Sequence, residues 1–137
     1  MNQVQIVAPD FVAQTWPKVE PLLKAAILTG VGDCTCEQLK AILIKGLQTL
    51  LVSTNEAGEI TGAMTVEVYS VPNERIAHIT ALAGRGVITP EALSVVEDWA
   101  RAQGATKFRA WAEEAQARLY RQMAGFNTTR FVVEKRL

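Results

Sequence analysis

The chain has 137 residues, enough for one domain but too few for two independent cores, so a single domain over 1–137 is expected. Hydrophobic residues make up 49% and charged residues 20%, a balance typical of globular proteins. Basic and acidic side chains cancel at 14 each, which disfavours nucleic acid as a partner. The sequence shows neither a membrane span nor a signal peptide, so a cytoplasmic location is expected.

Proline and glycine positions mark the first helix. It follows a short predicted strand over Val4–Val7. Because proline belongs in the first turn, the regular helix is expected to begin between Lys18 and Pro21. Gly30 and Gly32 are expected to end it.

Two later helices carry capping signals. Thr35 and Gln38 have the spacing of a capping box, which predicts a second helix. Thr89 is followed by a proline and an acid, a combination that predicts a helix running to about Ala102. Alternation and turn residues predict the remaining elements, namely strands over Thr49–Thr54, Glu59–Tyr69, Arg75–Ala83, Lys107–Ala112 and Thr128–Glu134, and a helix over Glu113–Ala124. A mixed sheet covered by helices is an α+β arrangement.

The second half of the chain carries two longer motifs. The segment 95–104 reads VVEDWARAQG, and the segment 119–126 reads LYRQMAGF. They resemble the E-x-W-A-R-x-x-G and L-Y-x-x-x-G-F patterns of the GNAT acyltransferases. The resemblance is strongest over 75–126 and extends loosely over nearly the whole chain. Size and the Trp16-Pro17 opening are most similar to small GNAT-fold proteins of tailed bacteriophages, which would act in the host cytoplasm.

The resemblance implies a fold, a cofactor and a site. The fold would be a twisted, mostly antiparallel sheet of about six strands flanked by about four helices. Acetyl-CoA would lie where two strands part, and its pyrophosphate would meet backbone amides of the following loop and helix. An amine of a small molecule or a protein would accept the acetyl group. The implied cofactor-binding residues are Leu82, Gly84, Arg85, Gly86 and Val87.

The loop before the third helix departs from the family's Q/R-x-x-G-x-G/A pattern. Pro90 has no N–H to offer a phosphate, and Thr89 can occupy first-turn amides as a cap. Glu91 would add a negative charge close to two phosphates. These residues leave open an alternative, a non-catalytic binding or virion-associated protein that keeps the fold without binding CoA.

Tyr120 is the candidate general acid, since the resemblance implies a tyrosine in the last helix. Gly125 follows it by five residues, where the family has four. A shift of one residue turns a side chain by about 100° around a helix. Either the helix end is therefore widened, or Arg121 occupies the position at which the family has its tyrosine. A packing role for Tyr120 is the alternative.

Glu67 and His78 are the candidate bases. A carboxylate in a sheet cleft could accept a proton, and a histidine titrates near neutrality. The alternatives are a solvated charge on the strand face for Glu67 and a structural strand residue for His78. Trp111 continues the alternation of the strand before it and is a candidate exposed aromatic. An edge strand such as Phe131–Val133 could pair with a second copy in a homodimer.

Overall fold

The computed structural model describes residues 3–28 and 33–137. The elements, in chain order, are β1 Gln3–Val7, α1 Pro9–Leu28, α2 Cys36–Ile44, β2 Thr49–Thr54, β3 Ile60–Val71, β4 Glu74–Gly84, α3 Pro90–Ala102, β5 Lys107–Ala110 and α4 Glu114–Ala124. This mixture of strands and helices confirms the α+β class. Most bounds agree with the sequence patterns to within two residues.

The strands form one sheet in the order β1-β2-β3-β4-β5. The first four strands are antiparallel, whereas β5 runs parallel to β4. The described residues therefore contain five strands, and the strand expected over Thr128–Glu134 is not formed. Its composition favours an extended chain, but a strand also needs a neighbouring edge to bond. Within the described residues this segment pairs with no strand.

The sheet separates two hydrophobic clusters. The cluster on one face joins α1 and α2 to the sheet, and its buried members are Val12, Trp16, Val19, Leu23, Leu39, Leu43, Leu50, Val52 and Ala63. The cluster on the opposite face joins α3 and α4 to the sheet, and its buried members are Leu51, Met64, Val66, Ala77, Ile79, Val87, Val96, Ala100 and Tyr120. We call these the α1/α2 face and the α3/α4 face. Alternation along each strand sends neighbouring side chains to opposite faces.

The expected start of α1 was wrong. The helix begins at Pro9, and both Pro17 and Pro21 lie inside it. Proline costs a backbone hydrogen bond there, but both prolines lie on the exposed side of the helix. Burial of an apolar stripe that includes Val12 and Trp16 holds this earlier segment in the helix. The expected helix end at positions 30 and 32 lies outside the described residues.

The helix caps agree with the sequence. Thr35 and Gln38 form both bonds of a capping box at the start of α2. Thr89 caps α3 and accepts the amide of Ala92 at 3.1 Å. None of the helices in the described ranges is long and apolar enough to cross a membrane.

Candidate functional site

The strands β4 and β5 stay together for only four residue pairs. They pair from Ile76 with Lys107 to Ile79 with Ala110, where β5 ends. Strand β4 continues through Thr80–Gly84, and its residues 81–84 stay paired with β3 on the other side. Along these five residues no described strand pairs with the β5 side of β4. Their outward N–H and C=O groups are therefore open to a ligand.

A β-bulge lies at the point where the two strands part. Val66 pairs with Ile79 and Thr65 pairs with Ala81, which leaves Thr80 as the extra residue of β4. Its hydroxyl oxygen lies 2.6 Å from the hydroxyl oxygen of Thr65 and 2.7 Å from Oε1 of Gln48. Since the amide oxygen can only accept, the Thr80 hydroxyl donates to it and accepts from Thr65. This chain of hydrogen bonds fixes the bulge.

His78 lies on β4 two residues before the bulge. Its side chain is buried, with 7% of the residue exposed, and Nδ1 has no hydrogen-bond partner. The ring packs edge-on against the indole of Trp111. Burial is the main cause that lowers the pKa of His78 from its ordinary 6.5, the Arg109 guanidinium lowers it further, and the Asp33 carboxylate opposes both. At neutral pH the imidazole is therefore uncharged and can accept a proton.

Polar side chains surround His78 on the α1/α2 face. Glu67 is the cross-strand neighbour of His78 on β3, and Arg109 is its neighbour on β5. Residues directly opposite in a sheet share a face, so the three side chains lie on one side. The Arg109 guanidinium donates to the Tyr69 hydroxyl at 3.2 Å, and the Glu67 carboxylate is exposed. The structure thus brings the two candidate bases together.

Tyr120 lies on the other side of β4. It belongs to the buried cluster of the α3/α4 face, which contains Ile79 of β4 and Val87 of the loop. Only 6% of the residue is exposed, and its ring lies 5.0 Å from that of Phe126. Burial raises the pKa of the Tyr120 phenol to about 12. The phenol therefore stays protonated at physiological pH.

The end of α4 explains the unusual spacing of Tyr120 and Gly125. The amide of Gly125 donates to the Tyr120 carbonyl, five residues back rather than the four of an α-helix. The amide of Phe126 donates to the same oxygen at 3.3 Å. The last turn is widened by one residue, and Tyr120 points inward. Arg121 is exposed and donates to the Glu114 carboxylate.

The five residues predicted to bind the cofactor lie at the end of β4 and in the loop after it. Gly84 and Gly86 both adopt left-handed backbone conformations, with φ of 77° and 88°. The Arg85 amide donates to the Thr61 carbonyl at 2.8 Å, and the Arg85 carbonyl accepts from the hydroxyls of Ser53 and Thr61. The backbone of the loop is thus tied to β2 and β3, while the Arg85 side chain remains exposed.

Side chains of the same segment differ in their accessibility. Val87 is buried, whereas Leu82 is half-buried. The end of β4 also forms one wall of a shallow groove against α1. The groove is lined by Pro21, Leu22, Ala25, Ala26, Leu82, Ala83 and Gly84. A mostly apolar ligand could therefore lie along the last residues of β4.

The first turn of α3 has few amides to offer an anion. The amide of Ala92 is bonded to the Thr89 hydroxyl and the amide of Leu93 to the Thr89 carbonyl. Pro90 has no amide hydrogen, and Glu91 places a carboxylate in the same turn. The expectation that Thr89 occupies the first-turn amides is confirmed.

Sequence patterns did not identify the bulge or its hydroxyl chain. Thr80 looks like any alternating strand residue, and its extra position follows from a register shift between β3 and β4. Likewise, Arg109 and Tyr69 are 40 residues apart, so their hydrogen bond has no local signal. Trp111 was identified as an exposed aromatic, but its contact with His78 depends on how β5 pairs with β4.

Comparison of the whole fold with solved structures gives matches over nearly the full chain. An aminoglycoside acetyltransferase from an uncultured soil metagenomic sample, in complex with sisomicin, superposes with a TM-score of 0.73 at 15% identity, covering 99% of this chain and 96% of that chain. A predicted acetyltransferase with acetyl-CoA from Clostridium acetobutylicum superposes with a TM-score of 0.69 at 14% identity, with the same coverage. No family model matches the sequence, and no curated protein sequence matches it.

A third similar structure has a protein substrate in its name. The ribosomal-protein-alanine N-acetyltransferase of Brucella melitensis biovar Abortus 2308 superposes with a TM-score of 0.66 at 15% identity, covering 98% of this chain and 99% of that chain. These proteins share the arrangement of the sheet and helices described above. The chain therefore has the GNAT fold, as its motifs indicated.

Proposed function

We propose that this protein is an N-acyltransferase that transfers an acetyl group from acetyl-CoA to an amine. The observation that carries the proposal is the parting of β4 and β5, with a bulge at Thr80 and, beside it, the imidazole of His78, whose Nδ1 has no hydrogen-bond partner. An open strand edge binds amide-bearing ligands through backbone hydrogen bonds. The pantetheine arm of CoA has two amides, and it would lie along Thr80–Gly84.

The end of β4 is a suitable site for the pantetheine arm of the cofactor. The start of α3 is a poor site for the diphosphate. The arm would meet open backbone groups and the half-buried Leu82. The diphosphate would meet Pro90 and Glu91 in the first turn of α3. Its anchor would be the exposed guanidinium of Arg85, held in place by a loop backbone bonded to β2 and β3.

The residues around the gap between β4 and β5 would carry out the two proton transfers of the reaction. Acetyl-CoA, when bound, supplies the activated thioester. His78 is uncharged at neutral pH, so its imidazole would take a proton from the attacking amine. The carboxylate of Glu67, its cross-strand neighbour, would attract a cationic acceptor and stabilise the protonated ring. Tyr120 would donate its phenolic proton to the departing sulfur.

Small cationic amines are the acceptor class that the α1/α2 face favours. The carboxylate of Glu67 is exposed there, and that of Asp33 acts on the same histidine. The acetyltransferase in complex with sisomicin acts on aminoglycosides, whereas the one from Brucella melitensis is named for a ribosomal-protein alanine. A free small amine and a peptide N-terminus are therefore both acceptors to test.

A second candidate function is that of a non-catalytic binding protein with the same fold. The start of α3 favours it, since Thr89 already occupies first-turn amides and Glu91 opposes phosphate there. A protein that lost the cofactor would have no need to keep these amides free. Such a protein would bind its partner without any effect of acetyl-CoA.

Mass spectrometry of acceptors incubated with the full chain and acetyl-CoA tests the enzyme proposal. We expect a mass increase of one acetyl group on at least one member of a panel of small amines and peptide N-termini. His78→Gln should lower kcat by about 100-fold or more, the typical contribution of a general base. Glu97→Gln on α3 is the matched control and should leave kcat unchanged. Full activity of the His78 variant would contradict the assigned base.

A further inference from the structure

Two parts of this chain are suited to strand pairing but have no strand partner within the described residues. The outer edge of β5, over Lys107–Ala110, pairs with no strand among the described residues. The segment Thr128–Glu134 has the composition of a strand but forms none. An open edge and an unpaired strand-forming segment are complementary surfaces.

The C-terminal segment exposes large apolar side chains to water. Phe131 and Val133 are each 90% exposed, and they would point to the same side of an extended chain. On α4, Leu119 and Met123 are exposed one helical turn apart. Large apolar side chains that are exposed on two successive segments are candidates for an interaction surface.

We propose that residues 128–134 of one copy add to the edge of β5 in a second copy, and that the exchange is reciprocal. Each chain then gives one strand and receives one, which closes the assembly as a two-fold symmetric dimer. The zero formal net charge of the chain leaves no overall repulsion between two copies. This inference does not depend on the proposed catalytic activity.

One antiparallel register matches the side chains on both faces of the sheet. With Glu134 opposite Lys107, the carboxylate meets the ammonium on the α1/α2 face, where Arg109 lies two residues on. On the α3/α4 face, Val133 then lies opposite Phe108. In this register the large ring of Phe131 falls beside the small side chain of Ala110.

The chain's own C-terminal segment begins beside β5 but does not pair with it. Phe126 packs against Phe108 of β5, with ring centroids 6.1 Å apart, and Thr128 accepts a hydrogen bond from Arg121 of α4. Beyond Thr128 the described segment has no hydrogen bond to its own sheet. A second copy supplies the edge that the segment lacks. It would also form a wall next to Arg109 and thus border the candidate site.

Sedimentation equilibrium of the full chain at micromolar concentration tests the exchange. We expect a dimer of two 15.0 kDa chains. Phe131→Glu combined with Val133→Glu should weaken dimerisation by about tenfold or more, because both side chains would be buried at the centre of the interface. Both are exposed in the single chain, so circular dichroism should show an unchanged fold. Leu47→Glu, another exposed apolar side chain, is the matched control and should leave the dimer intact.

A charge exchange tests the register. Lys107→Glu and Glu134→Lys should each weaken the dimer, and the double variant should recover at least half of the lost affinity. A folded monomer would overturn the proposal, and so would a dimer whose affinity is unchanged by the substitutions at 131 and 133. Hydrogen-exchange protection of residues 128–134 in a monomer would also overturn it, because the segment would then pair within its own chain.

Discussion

The ring of His78 packs edge-on against the indole of Trp111, with 4.9 Å between ring centroids and 69° between ring planes. Trp111 follows β5 and is 50% exposed, so the indole covers the histidine and meets solvent with its other side. Because His78 is the only histidine in the chain, its titration can be followed without interference. Trp111 thus contributes to the burial that keeps the imidazole uncharged.

Trp111→Ala should raise the pKa of His78 toward its ordinary 6.5, because water then solvates the charged ring. The measurement is an NMR titration of the single imidazole. Trp111→Phe keeps an aromatic cover and should change the pKa much less. An unchanged pKa in the alanine variant would mean that other groups bury the ring.

Protonation of His78 should make the fold less stable in acid. Its pKa is lowered by folding, so between the folded-state pKa and 6.5 the unfolded chain binds more protons. The contribution of this group to the free energy of unfolding is therefore complete above pH 6.5 and falls as the pH drops through that window. Urea unfolding across pH 4 to 8, compared between the wild type and His78→Gln, measures it. A wild-type profile that matches the variant would contradict the assignment.

Gly84→Ala should unfold the protein more easily than Gly58→Ala. A Cβ at Gly84 would lie 2.3 Å from the Thr61 carbonyl oxygen and 2.7 Å from the Gly62 Cα. Gly58 has a similar backbone, with φ of 80°, but a Cβ there meets nothing within 4 Å. We expect a cost of about 1 kcal/mol at Gly58 and about 2 to 4 kcal/mol at Gly84, measured by urea unfolding. Equal costs would show that β3 and β4 separate readily at this end.

Tyr120→Phe should separate catalysis from packing. The ring contacts with Phe126 are kept, so the free energy of unfolding should change by less than about 1.5 kcal/mol. If the phenol donates a proton to the leaving sulfur, kcat should fall by about 100-fold. Because the pKa of Tyr120 is about 12, deprotonation of its phenol should not lower the activity below about pH 11. Unchanged acetyl transfer in the variant would leave Tyr120 with a packing role only.

Local signals predicted those elements whose causes lie within a few residues. The capping box at Thr35 and the cap at Thr89 predicted the starts of α2 and α3, because these hydrogen bonds join neighbours in sequence. The prediction for the start of α1 was wrong, because burial of Val12 and Trp16 against the sheet outweighs the helix-breaking cost of the two prolines. That burial is a long-range effect. The fold class and the motif-based expectation of a GNAT fold are confirmed.

The candidate site depends on contacts between distant segments, which limits what the sequence can predict. Glu67 and His78 were both chosen from residue type, but their adjacency follows from the register of β3 and β4. The inward direction of Tyr120 follows from the widened last turn of α4. Strand composition alone predicted a last strand that does not form, because pairing also depends on how the chain lies against an open edge.

Binding of acetyl-CoA at the gap between β4 and β5 is tested most directly by thermal shift of the full chain with increasing ligand. At about 100 times its dissociation constant, the ligand should stabilise the fold by about 2.7 kcal/mol, a rise of several degrees in Tm for a domain of this size. Arg85→Glu should weaken the binding by about tenfold or more without changing the Tm of the free protein, because only an exposed side chain changes. No shift at millimolar acetyl-CoA would contradict the enzyme proposal and leave the non-catalytic binding protein as the function to pursue.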